Sequence, residues 1–315
     1  MLSLRLIFDI FLTVCAPIFL VVGLGWFLDK KFRLHLETLV KLNIYLMVPA
    51  FIFVHVVDTE LSNDAAARIV GFTLSMIGLM FLLSLLASRL LGLEARGAQA
   101  MKLATMFYNS GNFGLPLVTL AFGHEAAAVQ VYVLATMNVS TFTLGLYLAH
   151  ARGESGGRHR KALFSVLRQP TLYAVLSGIL CKALHLDVRQ VTWLWQPLEL
   201  LQAGLVGFAL LTLGVQMSQT RPAPFRPPLV AALGIRLLVA PLLAVPLSLL
   251  LGFPRAAAAS LILAAGAPTA VNTALLAHEF GGDVSFATSA VYYSTLLSLF
   301  TTTLNLALLR MWLGH

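Results

Sequence analysis

The chain has 315 residues, 59% of them hydrophobic and only 11% charged, with a mean hydropathy of +0.87. Soluble domains carry roughly a quarter charged residues, so the composition excludes an ordinary soluble protein and predicts an all-α polytopic membrane protein whose first partner is the lipid bilayer. The net charge of +8 and pI near 9.8 would suit nucleic acid in a soluble chain, but here the basic residues lie between apolar spans, where the loop-orientation rule accounts for them and no nucleic-acid partner is expected.

A helix crossing a bilayer needs about 20 mostly apolar residues. By that measure ten spans are predicted, at 5–28, 36–57, 66–91, 97–122, 126–149, 164–185, 194–218, 229–251, 256–280 and 284–311. The apolar run Leu6 to Leu28 is too long for a signal-peptide core and is read as the first span. The connections alternate in charge. Lys30, Lys31 and Arg33 follow the first span; Arg89, Arg96 and Lys102 the third; Arg152, Arg158, Arg160, Lys161 and Arg168 the fifth; Arg221 and Arg226 the seventh. With Lys41 and Arg236 counted on the same side, most of the 21 Lys and Arg residues lie on one face, and Asp58, Glu60, Asp64, Glu125 and Asp187 lie on the other. This predicts cytoplasmic basic loops, both termini outside the cytoplasm, and residence in the plasma (inner) membrane. Cys15 and Cys181 lie inside apolar segments without metal-ligand spacing and are read as small apolar side chains.

The basic, glycine-bearing stretch 151–163 divides five spans (1–150) from five (164–315). An odd number of spans per half predicts an inverted repeat, the second half entering the membrane upside down. Pro17 and Gly25 recur as Pro170 and Gly178 at an offset of 153, and Gly114 and Pro116 recur as Gly266 and Pro268 at an offset of 152.

Two spans read as broken. In the fourth, Tyr108-Asn109-Ser110-Gly111-Asn112-Phe113-Gly114-Leu115-Pro116 carries glycines that weaken a helix and a proline that removes a donor, so Gly111, Gly114 and Pro116 are predicted to interrupt it. In the ninth, Gly266 and Pro268 do the same within Gly266-Ala267-Pro268-Thr269-Ala270-Val271-Asn272-Thr273. Paired broken helices in inverted halves point to the binding site of a secondary transporter, where half-helix N-termini present N–H groups to an anion. No Lys or Arg is expected at that depth. The polar candidates are Asn109, Ser110 and Asn112; Thr269, Asn272 and Thr273; Asn138, Ser140 and Thr141; and Tyr292, Tyr293, Ser294 and Thr295. Buried Ser and Thr often bond back to their own helix, whereas an asparagine has four hydrogen-bonding positions to satisfy, so Asn109, Asn112, Asn138 and Asn272, with Ser110 and Thr269, form the predicted substrate site. The acids inside apolar segments, Asp9, Glu37, Glu199 and Glu279, lie near span ends. Coupling to Na⁺ or H⁺ is left open, and no bound cofactor or metal is expected.

Asn109 through Gly114-Leu115-Pro116-Leu117, Ala267-Pro268-Thr269-Ala270 and Phe280-Gly281-Gly282-Asp283, set in this ten-span layout, resemble the auxin efflux carrier family and its compact bacterial members, including the malonate and malate carriers. The resemblance implies an elevator-type carrier and a homodimer. Spans 1, 2, 6 and 7 would form the scaffold, and spans 3 to 5 and 8 to 10 a mobile transport domain in which the broken fourth and ninth spans cross. It also implies that Asn109 holds a substrate carboxylate. The chain departs from the plant carriers in its short central loop and in lacking their charged groups between Val70 and Ser88.

An intramembrane enzyme and an anion channel are the competing readings. A zinc protease needs His-Glu-x-x-His, but His124-Glu125 and His278-Glu279 are not followed by the second histidine. Ser110 has no histidine expected within reach. Charged rings or stacked-carbonyl filters, the usual marks of a channel, do not occur. The expected function is therefore transport of a small organic anion, a carboxylate such as malonate, malate or an auxin-like acid.

Overall fold

The computed structural model describes residues 4–59, 61–149, 167–279 and 282–314. The expected linker 151–163, the start of the sixth span, and Phe280 and Gly281 lie outside the described residues. Among the described residues every element is a helix, apart from one isolated antiparallel bridge between Tyr108 and Thr269. In chain order these are α1 (Leu4–Phe32), α2 (Leu36–Asp58), α3 (Asn63–Leu90), α4 (Ala95–Met106), α5 (Ser110–Phe122), α6 (His124–Ser140, continuing through Thr141–Gly145 and Leu146–Ala149), α7 (Pro170–Ala183), α8 (Thr192–Gln219), α9 (Pro227–Leu250), α10 (Arg255–Ala265), α11 (Val271–Glu279) and α12 (Val284–Leu313). Among the described residues seven helices, α1, α2, α3, α6, α8, α9 and α12, are long and apolar enough to cross a membrane, and α5, α7 and α10 are shorter apolar helices. Large apolar side chains such as Leu200, Leu250 and Phe300 stand exposed on the outside, as expected where lipid is the solvent. The protein is a multi-pass membrane protein.

The predicted fourth and ninth spans are each two helices, α4 with α5 and α10 with α11. The described part of the predicted sixth span is the 14-residue α7, about 21 Å long at 1.5 Å per residue. It begins at Pro170 and ends before His185, whose φ of 52° leaves helical space.

Proline acts here in a way the sequence reading did not foresee. Short π-helical turns at Phe11–Cys15, Asn43–Met47, Ser110–Gly114 and Ile235–Val239 each end two residues before a proline: Pro17, Pro49, Pro116 and Pro241. A proline has no N–H for the carbonyl one turn back. An extra residue in the turn re-routes the neighbouring bonds, so the helix continues. Pro116 therefore does not break its span. The α4 helix stops earlier, at Met106, and the unwound residues are Phe107, Tyr108 and Asn109. Gly111 and Gly114 lie inside the resumed helix. Gly266 and Pro268 do sit in the second break, which runs from Gly266 to Ala270. The two breaks thus begin after Met106 and Ala265, 159 positions apart. Pro116 and Pro268, matched at an offset of 152 in the sequence, stand in different settings, one inside a resumed helix and the other inside a break.

The helices form two packed groups. In one, α1 lies along α8, and α2 packs on α7 and α8. The α1–α8 contact is made at backbone distance. A Cβ on Gly25 would meet the Leu211 carbonyl oxygen at 2.2 Å, and one on Gly214 would meet that of Val22 at 2.0 Å. Near the same ends Asp29 ties the pair together, accepting hydrogen bonds from Ser218 Oγ (2.5 Å), Gln219 Nε2 (2.8 Å) and the Leu34 amide (3.0 Å). In the other group α4 to α6 and α9 to α12 surround the two breaks, with α3 against α4 and α6.

Gly25→Ala and Gly214→Ala are expected to destabilise the protein by roughly 1–3 kcal/mol each, as overpacked cores do. Gly23→Ala, where a Cβ meets nothing within 4 Å, serves as the control. Melting temperatures of the purified variants in detergent measure the difference; equal values for all three would show that the crossing is not tight.

Candidate functional site

The two breaks meet. Asn109 N–H donates to the Pro268 carbonyl at 2.7 Å, and Ala270 N–H donates to the Phe107 carbonyl at 2.9 Å, on either side of the Tyr108–Thr269 bridge. Four main-chain groups freed by unwinding are thus satisfied by each other, which broken backbone at membrane depth requires. Pro268 contributes only a carbonyl, the one group it has to offer. Further partners come from the surrounding helices. Gln130 Nε2 in α6 donates to the Ser110 carbonyl (2.8 Å), the Thr269 hydroxyl donates to the Ala104 carbonyl (2.9 Å), and the Thr269 amide donates to Ser294 Oγ in α12 (3.0 Å). Gly114 is where Gln130 comes in, since a Cβ there would stand 3.0 Å from Gln130 Nε2 and 3.2 Å from the Asn109 carbonyl.

Two further carbonyls, one at the end of each half-helix, are held by Arg236. This residue, counted above with the cytoplasmic loops, lies inside α9 at 1% exposure. Its guanidinium donates to the Thr105 carbonyl (2.7 Å) and to the Ala265 carbonyl, in the last turns of α4 and α10. It also stacks over the Tyr108 ring, 5.1 Å from its centroid. The expectation that no cation reaches this depth is therefore corrected. The available signal was an arginine in the middle of the apolar run 229–251, which by default marks a functional site rather than a loop.

On the other side of the bridge lies a cavity of about 70 Å³. The first residues of both resumed helices line it: Asn109 to Asn112 ahead of and within α5, and Ala270 to Asn272 at α11. Asn138, Met137 and Thr141 of α6, Asn43 of α2, and Gln169 and Thr171 at the start of α7 complete the wall. The arrangement separates the two kinds of helix end. Both C-terminal ends, which carry partial negative charge, face Arg236, and both N-terminal ends, with partial positive charge, face the cavity.

Asn109 is the N-cap of α5, its Oδ1 accepting from the Asn112 amide at 3.0 Å. Its Nδ2, in a side chain 6% exposed, is buried without a hydrogen-bond partner. A buried amide nitrogen with two unused protons is costly unless something accepts them. Asn112 Oδ1 accepts from Asn43 Nδ2 at 2.7 Å, linking the cavity wall to α2. Asn138 Nδ2 reaches Thr171 Oγ1 at 3.5 Å.

Of the expected site residues the cavity gathers Asn109, Ser110, Gly111, Asn112, Asn138 and Asn272. It does not take in Thr269, whose amide and hydroxyl are used in joining the breaks to α4 and α12. The Thr273 hydroxyl donates to the Ala270 carbonyl at the end of the break, those of Ser294 and Thr295 bond back to α12, and the Tyr293 hydroxyl goes to the Ala223 carbonyl. Sequence reasoning missed Asn43, Gln130, Gln169 and Thr171. Asn43 and Gln130 are single polar residues inside apolar runs and carried a detectable signal; Gln169 and Thr171 read as an ordinary span start. A larger cavity of about 830 Å³ opens at the opposite ends of the helices, lined by apolar residues with Ser260 and Arg310. It holds none of the expected site residues.

Two broken helices that meet beside a polar cavity inside a multi-helix membrane protein are the arrangement a transporter's binding site is expected to have. The family model described as "Membrane transport protein" matches residues 10–161 and 158–306. The chain belongs to that family, the auxin efflux carrier family of the resemblance above. It is also 27% identical over 267 residues, 84% of this chain and 85% of the other, to a protein of Methanothermobacter thermautotrophicus (strain Delta H) called an uncharacterized transporter.

Loss of the Asn109 cap in Asn109→Ala is expected to lower the melting temperature by a few degrees, whereas Asn109→Asp, an equally good N-cap, should melt close to wild type. Equal losses in both variants would show that capping is not what Asn109 contributes to stability.

Proposed function

We propose that the protein is a secondary transporter of a small organic anion, a carboxylate such as malonate or malate, bound in the cavity beside the crossed breaks. The observation that carries this reading is the Asn109 amide nitrogen, buried and unpartnered where two half-helix N-termini converge. A carboxylate oxygen supplies the acceptor it lacks. The cavity volume of about 70 Å³ admits on the order of five water-sized groups, which favours a short acid over an indole-bearing, auxin-like one.

The reading extends to movement. The cavity lies between α2 and α7 on one side and α5, α6 and α11 on the other. That boundary is the one at which an elevator carrier slides, with a scaffold of spans 1, 2, 6 and 7 and a transport domain of spans 3 to 5 and 8 to 10. The inverted repeat is supported by paired contacts: α1 against α8 at Gly25 corresponds to α7 against α2 at Gly178, where a Cβ would meet Val56 Cγ1 at 2.7 Å. It is supported again by Thr105 and Ala265, 160 positions apart, which carry equivalent bonds from Arg236. Asn112 and Asn272 share that offset, and both line the cavity. With the basic loops in the cytoplasm of a plasma-membrane protein, the cavity lies at the cytoplasmic ends of α2, α6 and α7, in an inward-facing state. The carrier works as a homodimer, and its driving ion, Na⁺ or H⁺ if any, is to be read from gradients.

Three measurements test this. In proteoliposomes, labelled malonate or malate is expected to show saturable uptake and counterflow, with Na⁺ and H⁺ gradients varied separately; uptake of every acid tested without saturation would favour a channel. Asn109→Ala and Asn272→Ala are expected to weaken binding roughly ten-fold to a hundred-fold, the loss of one hydrogen bond to a charged group. Asn109→Asp should be worse despite its intact cap, because it places like charge against the anion; tight binding by the Asp variant would move the anion away from Asn109. For orientation, a Gly156→Cys variant in a Cys181→Ala background should be unreachable by an impermeant thiol reagent added to intact cells, and labelling from outside would reverse the assigned sides.

A further inference from the structure

The proposed anion site makes no direct use of Arg236, the largest buried polar side chain among the described residues. Its surroundings are specific. Two of its guanidinium nitrogens are spent on the Thr105 and Ala265 carbonyls, and these belong to two different helices from opposite halves of the chain. Among the described residues no carboxylate pairs with it; the ion pairs that do form are Glu37–Lys41, Asp64–Arg68 and those of Arg189 with Asp58 and Asp187. The counter-charge for Arg236 is instead a pair of helix C-termini, each equivalent to about half a negative charge, so that two such ends balance one cation. Converging C-terminal ends and unwound carbonyls are also the groups with which crossed-helix carriers hold a free coupling cation.

We propose that Arg236 is a resident cation: its guanidinium occupies, on a tether, the carbonyl cluster at the crossover that would otherwise bind a free monovalent cation. In this role Arg236 is a positioning residue. It holds α4 and α10 against each other so that both breaks, and with them both cavity-facing N-termini, keep one geometry. Tyr108 connects the two sides. Its ring lies under the guanidinium and the residue is among those lining the cavity, while its hydroxyl and Arg236 Nε are both buried without partners. An anion in the cavity would therefore sit against the same residue that the buried guanidinium stacks on, and in a low-dielectric setting the attraction between the two charges is little screened.

The proposal rests on reading the crossover as the transport centre, but its test needs no substrate. Melting temperatures of the purified protein are measured in NaCl, KCl, guanidinium chloride at low millimolar concentration, and choline chloride, at matched ionic strength. Wild type is expected to melt at one temperature in all four. Arg236→Met, which keeps much of the side-chain volume but leaves the carbonyl ends bare, is expected to melt roughly 5 °C or more lower in choline and to recover, saturably, with Na⁺ or guanidinium. Arg236→Lys keeps a cation and should stay indifferent to the salt. A methionine variant that is destabilised equally in every salt would reduce Arg236 to a packing and capping residue and overturn the proposal, as would a wild-type protein stabilised selectively by Na⁺. If the methionine variant does not survive extraction in any salt, the lysine variant decides: selective stabilisation by Na⁺ refutes the proposal, and indifference upholds it. Failure of counterflow with every acid, together with gained cation dependence in Arg236→Met, would sink the substrate assignment and leave the resident cation standing.

Discussion

Two helices that stop inside a membrane leave carbonyls and amides where no water can reach them, and the rest of the structure depends on how those groups are satisfied. Half of the solution is mutual. The Asn109 and Ala270 amides bond to the Pro268 and Phe107 carbonyls, and the breaks become each other's partners. The other half is supplied from outside by Gln130, Ser294 and Arg236, on α6, α12 and α9. Each of those helices is thereby fixed to the crossing by directed polar bonds, in addition to the apolar packing that leaves helices in lipid free to slide and rotate.

Sorting the helix ends by sign follows from the same requirement. A single guanidinium reaching carbonyls of α4 and α10 draws both negative ends to one side, which leaves both positive ends together on the other. The cavity is polar because of that sorting, and its asparagines extend it. Size is a poor guide by comparison. The 830 Å³ cavity is more than ten times larger than the 70 Å³ one, yet Ser260 and Arg310 are the polar side chains in its otherwise apolar lining.

The membrane class, the broken fourth and ninth spans, and most of the cavity-lining asparagines were legible because they rest on rules that a sequence carries on its face: span length, and the cost of burying an amide. The position of the first break was not. Glycine and proline were read as breakers, but Pro116 is absorbed by a π turn, and the break opens at Phe107, four residues before the first glycine, Gly111, with Asn109 capping the next helix rather than continuing the last. That Thr269 turns its hydroxyl to the Ala104 carbonyl and lies off the cavity was not legible, because side-chain direction in an unwound segment has no periodicity to read. Arg236 was misjudged because a charge tally treats every basic residue as a loop residue, and only its bonds to carbonyls 160 positions apart reveal its place.

The bridge between Tyr108 and Thr269 is made by main-chain atoms alone, and a main-chain joint is indifferent to which side chains it carries, proline's missing N–H aside. On the proposed reading of the cavity as the substrate site, mutations at the cavity-facing positions next to it can therefore change what is recognised while the joint stays closed. Lineages that diverge in substrate can do so by drift among a few polar side chains, without passing through intermediates that fail to fold. The same joint makes new specificities accessible to an engineer by substitution at the wall, with the crossing left untouched.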